Sequence, residues 1–514
     1  MNIKLRITKS ILFVFIFNLV FSGQAQKTTA GKPNILFIFA DDHCYDAIRA
    51  LGINSEIITP NLDRLVESGV SFNNTYNMGA WQPAVCVASR AMLITGRYVW
   101  EAKQYDSNKA QNLLKEKGHT WPQLMEKAGY DTYMSGKFHL KIAADSIFEQ
   151  VAHEFPGMPR NAFVSDYRGL VKKMKEAYEK SDDISALMPN GYNRPVSEQD
   201  TTWLPWDKSK GGYWKGGKHW SEVVGDDGVN FIEKAKNEEN PFFMYLAFNA
   251  PHDPRQSPKE FIDMYPLDNI AVPKSFLPEY PYKNEIGCPS YLRDEALAPF
   301  PRTAYSIKVN RQEYYAIITH MDQQIGRILD ALEASGKADN TYIFFTADHG
   351  LAVGNHGLIG KQNMYEHSMR APLMVSGPKI KKGRKVDAPV YLQDVMASAL
   401  DLADIEKPDF VQFNSLMPMA FGNANKSAYS AIYGCYVNKQ RMIRKDGFKL
   451  IMYPKANVIK LFNLKDDPLE LNDLAGTKKH QKRVSELLKD FLDKQKEYKD
   501  KLDISSLYVK YGMF

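Results

Sequence analysis

The chain has 514 residues, 44% of them hydrophobic and 25% charged, the values of an ordinary globular protein long enough to bury a large core without crosslinks. Length points to one large α/β domain with an appendage, or to more than one domain. The formal net charge of +6 is mild, and no basic block interleaves with aromatics; this excludes a nucleic-acid partner, while locally basic spots remain suited to an anionic small substrate.

Lys4, Arg6 and Lys9 precede an apolar run over residues 11–21, and Ser22-Gly23-Gln24-Ala25 puts small residues at the −3 and −1 positions of a cut after Ala25. This reads as a secretory signal peptide over residues 1–25, too short for a comfortable membrane span. No cysteine follows the cut, and no later segment has membrane length, so the expectation is an exported protein, periplasmic or secreted, with no stable membrane anchor.

Residues 33–40 (PNILFIFA) form a continuous apolar run that stops at Asp41-Asp42-His43. Such a run reads as a strand buried on both faces, as in a parallel sheet. Thr59-Pro60 opens a helix, with Thr59 as its cap. The stretch Cys86-Val87-Ala88-Ser89-Arg90 follows; alone, Cys86 reads as a buried structural thiol opening a helix. Residues 119–128 read as a helix and 129–135 as a strand ending in Gly136-Lys137-Phe138-His139. Residues 150–225 are aromatic-rich and irregular, with Trp203, Trp206, Tyr213, Trp214 and Trp220, and read as a surface insertion whose rings either pack on the body or stack on a sugar.

A helix is expected over 225–236. A second buried strand, 241–248, ends in Asn249-Ala250-Pro251-His252-Asp253. A long helix over 310–334 shows apolar spacing at Tyr314, Ile317, Ile318, Met321, Ile325, Ile328 and Leu329. A third buried strand, 341–347, ends in Asp348-His349-Gly350. From about 420 the pattern changes to short strands, 428–433, 440–444, 448–453 and 460–464, followed by a charged helix over 478–502. The chain is therefore expected to be an α/β/α sandwich with a mostly parallel central sheet over 33–420, and a smaller α+β subdomain with an antiparallel sheet over 421–514.

Functional groups in such a sheet belong at the carboxyl ends of the strands, where Asp41, Asp42, Lys137, His139, His252, Asp348 and His349 fall. Two acidic strand ends suit a hard cation such as calcium or magnesium, the alternative being turns and caps. Lys137 and His139, two apart, share a face if extended and could hold an anion; a solvated lysine and a turn histidine are the alternative. Gly357 and Gly360 permit close backbone approach beside Lys361. Glu366 and Arg370, four apart, also fit a plain helical ion pair. The four cysteines, Cys44, Cys86, Cys288 and Cys435, match no zinc spacing, and nothing pairs them into disulfides.

Taken in order, Asp41-Asp42, Cys86-Val87-Ala88-Ser89-Arg90 with Thr95-Gly96-Arg97, Gly136-Lys137-Phe138-His139-Leu140, Ala250-Pro251-His252, Thr346-Ala347-Asp348-His349-Gly350 and residues 361–372 resemble the type I sulfatases of the alkaline phosphatase superfamily over nearly the whole mature chain. Residues 461–470 also look like that family's carboxyl-terminal subdomain. The resemblance implies that a maturation enzyme converts Cys86 to formylglycine (3-oxoalanine), Ala88 being an accepted variant of the motif. It implies calcium held by Asp41, Asp42, Asp348, His349 and residue 86; the fourth ligand is often Asn in relatives, and His349 departs from that.

In the implied chemistry Arg90, Lys137 and Lys361 neutralise the sulfate ester and Arg90 also holds the formylglycine hydrate. The hydrate attacks sulfur, His139 is the base that releases sulfate, and His252, with Lys361, is the acid for the leaving oxygen. The substrate expected is a sulfated carbohydrate, with Asp253, Arg255 and residues 200–220 recognising the leaving group. Two alternatives are a phosphodiesterase or phosphonate monoester hydrolase of the same superfamily, and a catalytically silent carbohydrate-binding protein.

Overall fold

The computed structural model describes residues 31–156, 167–182, 184, 187–188 and 194–511. The segment read as a signal peptide lies outside them. Lys32–Phe514 form one compact unit, and among the described residues no helix is long and apolar enough to cross a membrane.

The strands in chain order are β1 (Asn34–Asp41), β2 (Val70–Phe72), β3 (Thr75–Tyr76), β4 (Gly79–Ala80), β5 (Asp131–Lys137), β6 (Gln150–Phe155), β7 (Phe242–Pro251), β8 (Thr341–Ala347), β9 (Arg370–Ala371), β10 (Leu373–Ser376), β11 (Arg384–Val386) and β12 (Val390–Tyr391). Eight of them make the central sheet, in the order β11-β2-β10-β8-β1-β7-β5-β6. β10 runs antiparallel to both its neighbours and every other pairing is parallel.

All eight residues of β1 are buried, which is why its sequence is an unbroken apolar run rather than an alternation. Both faces are covered. Phe37, Phe243 and Tyr245 meet Trp121 of the helix Trp121–Lys127, at ring distances of 5.2, 4.7 and 6.4 Å. On the other face Tyr133 of β5 meets Phe231 of the helix Trp220–Ala235 at 5.1 Å. That helix packs on the 31-residue helix Ala304–Ala334. The expected α/β/α sandwich is thus the observed one.

Three local expectations are corrected. Residues 150–225 are not wholly an insertion: β6 is the edge strand of the central sheet, and Trp214 and Trp220 pack against its Phe155 at 4.7 and 4.8 Å. Of β6 only Phe155 is buried, so the strand carries no apolar run and left no signal. Thr59 does not cap the helix α1 (Pro60–Ser68) through its side chain; its hydroxyl accepts from the Arg49 amide and donates to Asp63 instead. The first small-sheet strand lies at Ile432–Tyr436, four residues later than expected.

Beyond 420 the chain forms β13 (Ile432–Tyr436), β14 (Gln440–Lys445), β15 (Phe448–Tyr453) and β16 (Val458–Asn463), an antiparallel meander with the helix Gln481–Glu497 on it. β4, from the N-terminal part, adds to this sheet parallel to β13. Gly79 makes that approach possible: its φ is +110°, and a Cβ there would lie 2.0 Å from the Cys435 carbonyl oxygen. The helix α2 (Val85–Thr95), which opens with Val85-Cys86, follows directly after β4.

Candidate active site

The site is assembled at the carboxyl ends of four parallel strands. β1 delivers Asp41 and then Asp42, β5 delivers Lys137 and then His139, β7 delivers His252 and β8 delivers Asp348 and His349. The start of α2 brings Cys86. Asp41, Asp42, Arg90, Lys137 and Asp348 have no exposure, and Cys86 has 2%. Gly136 allows β5 to turn here: its φ is +104°, and a Cβ would lie 1.8 Å from the Ala247 carbonyl oxygen.

Asp41 is paired with Lys137. Arg90 donates Nε to Asp348 Oδ2 at 3.3 Å and Nη1 to the Lys137 carbonyl at 2.6 Å, with its guanidinium 4.7 Å from the Phe39 ring. Lys361 Nζ donates to both oxygens of Asp42 at 3.0 Å. Lys137 Nζ and His139 Nδ1 lie 4.0 and 3.4 Å from Cys86 Sγ. Lys137 and His139 do converge, though by a left-handed kink at His139 (φ +62°) rather than by strand pleating.

The histidine tautomers follow from their partners. His349 Nδ1 faces the Gly350 carbonyl at 2.9 Å and His252 Nδ1 faces the Asp253 carbonyl at 2.6 Å. A carbonyl only accepts, so each Nδ1 carries the proton. Each Nε2 is then turned to the acidic cluster: His349 lies 3.3 Å from Asp42 and 3.5 Å from Asp348, and His252 lies 4.0 Å from Asp42.

The residues fit a divalent cation. One atom each of Asp41, Cys86, Asp348 and His349 lie within 4.8 Å of one another, and so do atoms of Asp41, Asp42 and His252. Asp41 Oδ1 and His349 Nε2 are buried with no hydrogen-bond partner, and the His349 tautomer leaves that nitrogen a lone pair for a ligand bond.

Electrostatics match the crowding. Burial and the neighbouring Asp41 charge push the Asp348 carboxyl up to about 7. Without a cation, Asp348 and Asp42 raise His349, which burial alone would lower, to about 9, so that Nε2 takes up a proton which a bound cation would displace. Burial opposes ionisation of Asp41 and Cys86, yet both are held well below their ordinary values, Asp41 chiefly by Lys137 and His252, and Cys86 by Lys137, His139 and Lys361. Burial lowers His252, with Lys361 and Lys137 adding to the effect.

The expected leaving-group residues sit just behind. Asp253 is buried beside His252, and its Oδ2, 3.6 Å from Arg293, has no hydrogen-bond partner. Arg255 is fully buried, donating to Asn310 at 3.2 Å and lying 5.6 Å over the Tyr314 ring. Of the insertion, Trp203 is fixed to Glu313 at 2.6 Å, and Trp203 and Trp206 line a separate cleft with Tyr305. Glu366 and Arg370 do pair, at 3.4 Å. All four cysteines are free and buried. Two neighbours of the site had no signal in the sequence: Arg293, in a Pro-rich irregular stretch, and Tyr314, whose spacing marks only an apolar helix face.

Three carboxylates, three imidazoles and three cations gathered around one thiol at the strand ends of a parallel sheet define a hydrolase of anionic esters. A family model described as Sulfatase matches residues 33–405, and one described as N-sulphoglucosamine sulphohydrolase, C-terminal, matches residues 354–497. The chain belongs to the sulfatase family of the alkaline phosphatase superfamily, and it is a sulfuric ester hydrolase. It is 27% identical over 547 residues to an N-acetylglucosamine-6-O-sulfatase of Bacteroides thetaiotaomicron, covering 92% of this chain and 88% of that one. Two solved structures share the fold. One, in complex with its substrate D-glucosamine-2-N,6-O-disulfate, has a TM-score of 0.68 at 24% identity, over 91% of this chain and 98% of that one. The other is a phosphonate monoester hydrolase from Silicibacter pomeroyi, with a TM-score of 0.68 at 21% identity, over 91% and 96%.

Proposed function

We propose that this protein cleaves the sulfate ester of a sulfated carbohydrate of glycosaminoglycan-like, amino-sugar type, using a formylglycine made from Cys86 by a maturation enzyme, and a calcium ion held by Asp41, Asp42, Asp348, His349 and residue 86. The observation that carries the reading is the buried cluster itself: three carboxylates and a lone-pair imidazole beside Cys86, flanked by Lys137, Lys361 and Arg90. The sugar class is supported by the glucosamine sulfate named for the relative and the neighbour above. We further propose export to the periplasm or beyond, on the strength of the leader at residues 1–25, and a division between catalytic and carboxyl-terminal parts near 420.

When bound, the cation supplies positive charge to the sulfate oxygens, and formylglycine supplies a hydrated aldehyde as the oxygen nucleophile. The chain's own side chains do the rest. Lys137 and Lys361 offset the charge of the ester and of the developing sulfate. Arg90, pinned by Asp348 and the Lys137 carbonyl, braces the first turn of α2 and with it residue 86. His139, with Nδ1 facing the residue 86 side chain, accepts a proton there. His252 keeps Nδ1–H on the Asp253 carbonyl, so Nε2 is the atom that takes up a second proton and, from the imidazolium, hands it to the leaving oxygen. Asp253 Oδ2, buried beside Arg293 and without a hydrogen bond, is suited to accept from a sugar hydroxyl.

The decisive test uses Cys86. Mass measurement of the peptide around residue 86 is expected to show a loss of roughly 18 Da relative to cysteine, the thiol-to-aldehyde change. Cys86→Ala is expected to abolish release of sulfate from glucosamine 6-sulfate; full residual activity overturns the reading. The shared fold of the phosphonate monoester hydrolase keeps one rival open. Aryl sulfate is expected to have the higher kcat/KM, and a preference for aryl phosphonate reverses the assignment.

A further inference from the structure

Asp42 stands in an unusual backbone state. Its φ is +70°, in the left-handed region that a residue with a Cβ occupies when its surroundings hold it there. Its amide donates to Asp348 Oδ1 at 3.1 Å. Its carbonyl accepts from the hydroxyl of Tyr314 at 2.7 Å, and the same hydroxyl accepts from the Cys44 amide at 2.8 Å. One phenol therefore uses both of its hydrogen-bonding roles to close the turn over residues 42–44, in place of a backbone hydrogen bond.

The turn is tied on its far side as well. Cys44 Sγ lies 3.0 Å from the Leu351 carbonyl and accepts from the Leu351 amide at 3.3 Å, in the loop that follows His349. Tyr314 itself is rigidly mounted. It is buried about a third of the way along the helix Ala304–Ala334, and the Arg255 guanidinium lies over its ring. The carboxylate that this turn aims inward is the one that meets Lys361 Nζ and His349 Nε2.

We infer that Tyr314 is a positioning residue for metal binding: its hydroxyl holds the left-handed turn that points the Asp42 carboxylate into the cation site. The inference rests on the proposed role of Asp42 as a ligand. Tyr314→Phe keeps the ring and its contact with Arg255 while removing both hydrogen bonds, so Asp42 is free to swing toward the extended backbone its Cβ prefers.

The test is calcium titration by calorimetry of the full chain, in the parent, Tyr314→Phe, Asp42→Asn and the double variant. Tyr314→Phe is expected to weaken calcium binding about tenfold or more, the range for outer partners of metal ligands, with a cooperative melt retained in chelator. In the Asp42→Asn background the same change is expected to add no further loss, because its target is already gone. Binding within twofold of the parent overturns the inference, and so does an equal loss in both backgrounds. A parent that binds no calcium, or an Asp42→Asn variant that binds as well as the parent, overturns the ligand assignment and this inference with it; failure at Tyr314 alone is thereby told apart. Amide exchange in the parent gives a reading independent of any variant's folding: the Cys44 amide is expected to be protected and to gain protection with calcium, and exchange at the free rate overturns the inference.

Discussion

Cys86 differs from the other three cysteines only in its surroundings. Burial pushes Cys44 and Cys435 up to about 12, the pull of Arg311 on the first and of Arg441 on the second being too weak to offset it. Cys86 is as deeply buried, but Lys137, His139 and Lys361 hold it well below the ordinary thiol value. The same positive field is what a sulfate ester meets in this site. Lys361, bonded to both oxygens of Asp42, can serve the ester directly and also fix that carboxylate. Lys361→Met is expected to lower kcat on an aryl sulfate by about 10²–10³, the loss typical of one transition-state charge partner. Steady-state kinetics check this, and a change confined to KM contradicts it. The positions of Asp41, Asp42 and Asp348 at the strand ends were legible in the sequence because Asp41-Asp42 and Asp348 each follow an apolar run, where a carboxylate cannot avoid the strand end. Tyr314 was not legible: a buried phenol at helical spacing looks like core, and only the tertiary contact with Asp42 gives its hydroxyl a task.

Elements in this fold borrow their ends from one another. The start of α1 is capped by Asp322 from the helix Ala304–Ala334, which accepts from the amides of Asn61 at 3.1 Å and Leu62 at 2.7 Å. Burial pushes the Asp322 carboxyl up to about 6 against the pull of those amides. Unfolded, it titrates near the usual value of about 3.9. Between those values the folded chain retains a proton that the unfolded chain has released. The contribution of this group is therefore complete below about pH 4, is lost as the pH rises through about 6, and is constant above that. Asp322→Asn removes the titration, so the excess of the parent's Tm over the variant's is expected to shrink from pH 4 to pH 7. A gap that widens across this range contradicts the assignment. Thr59 seemed the natural cap from sequence position; the cap came from 263 positions away because a carboxylate reaching across the helix interface serves two amides at once, where a local hydroxyl serves one.

At the scale of the molecule, a buried ionic network joins the small sheet to the loop that carries Lys361. Lys449 of β15 pairs with Glu470 at 2.6 Å and with Glu366 at 3.0 Å, while Glu366 also accepts from Tyr76 at 2.8 Å. The Glu366 amide in turn donates to Glu470 at 2.6 Å. The Glu366–Arg370 pair seen four apart in sequence is thus one edge of a joint between sheets, a few residues beyond Lys361. Lys449→Met leaves two buried carboxylates short of a cation and is expected to lower stability by about 3–5 kcal/mol, read as a shift of the denaturant midpoint. An unchanged midpoint contradicts the network's role. β4 makes the second join, entering the small sheet just before α2.

Apolar runs ending in acids and histidines, in a fixed order, were sufficient to give the α/β/α architecture, the family resemblance and the set of charged residues around Cys86. These are determined by sequence because burial on both faces leaves a continuous apolar signature, and a strand end fixes where the next polar group emerges. The sequence alone could not determine that β6 belongs to the central sheet, that β4 belongs to the small one, that Asp322 caps α1 or that Tyr314 holds Asp42. Those depend on contacts between segments tens to hundreds of residues apart, where a side chain's role is set by the partner it meets rather than by its neighbours along the chain.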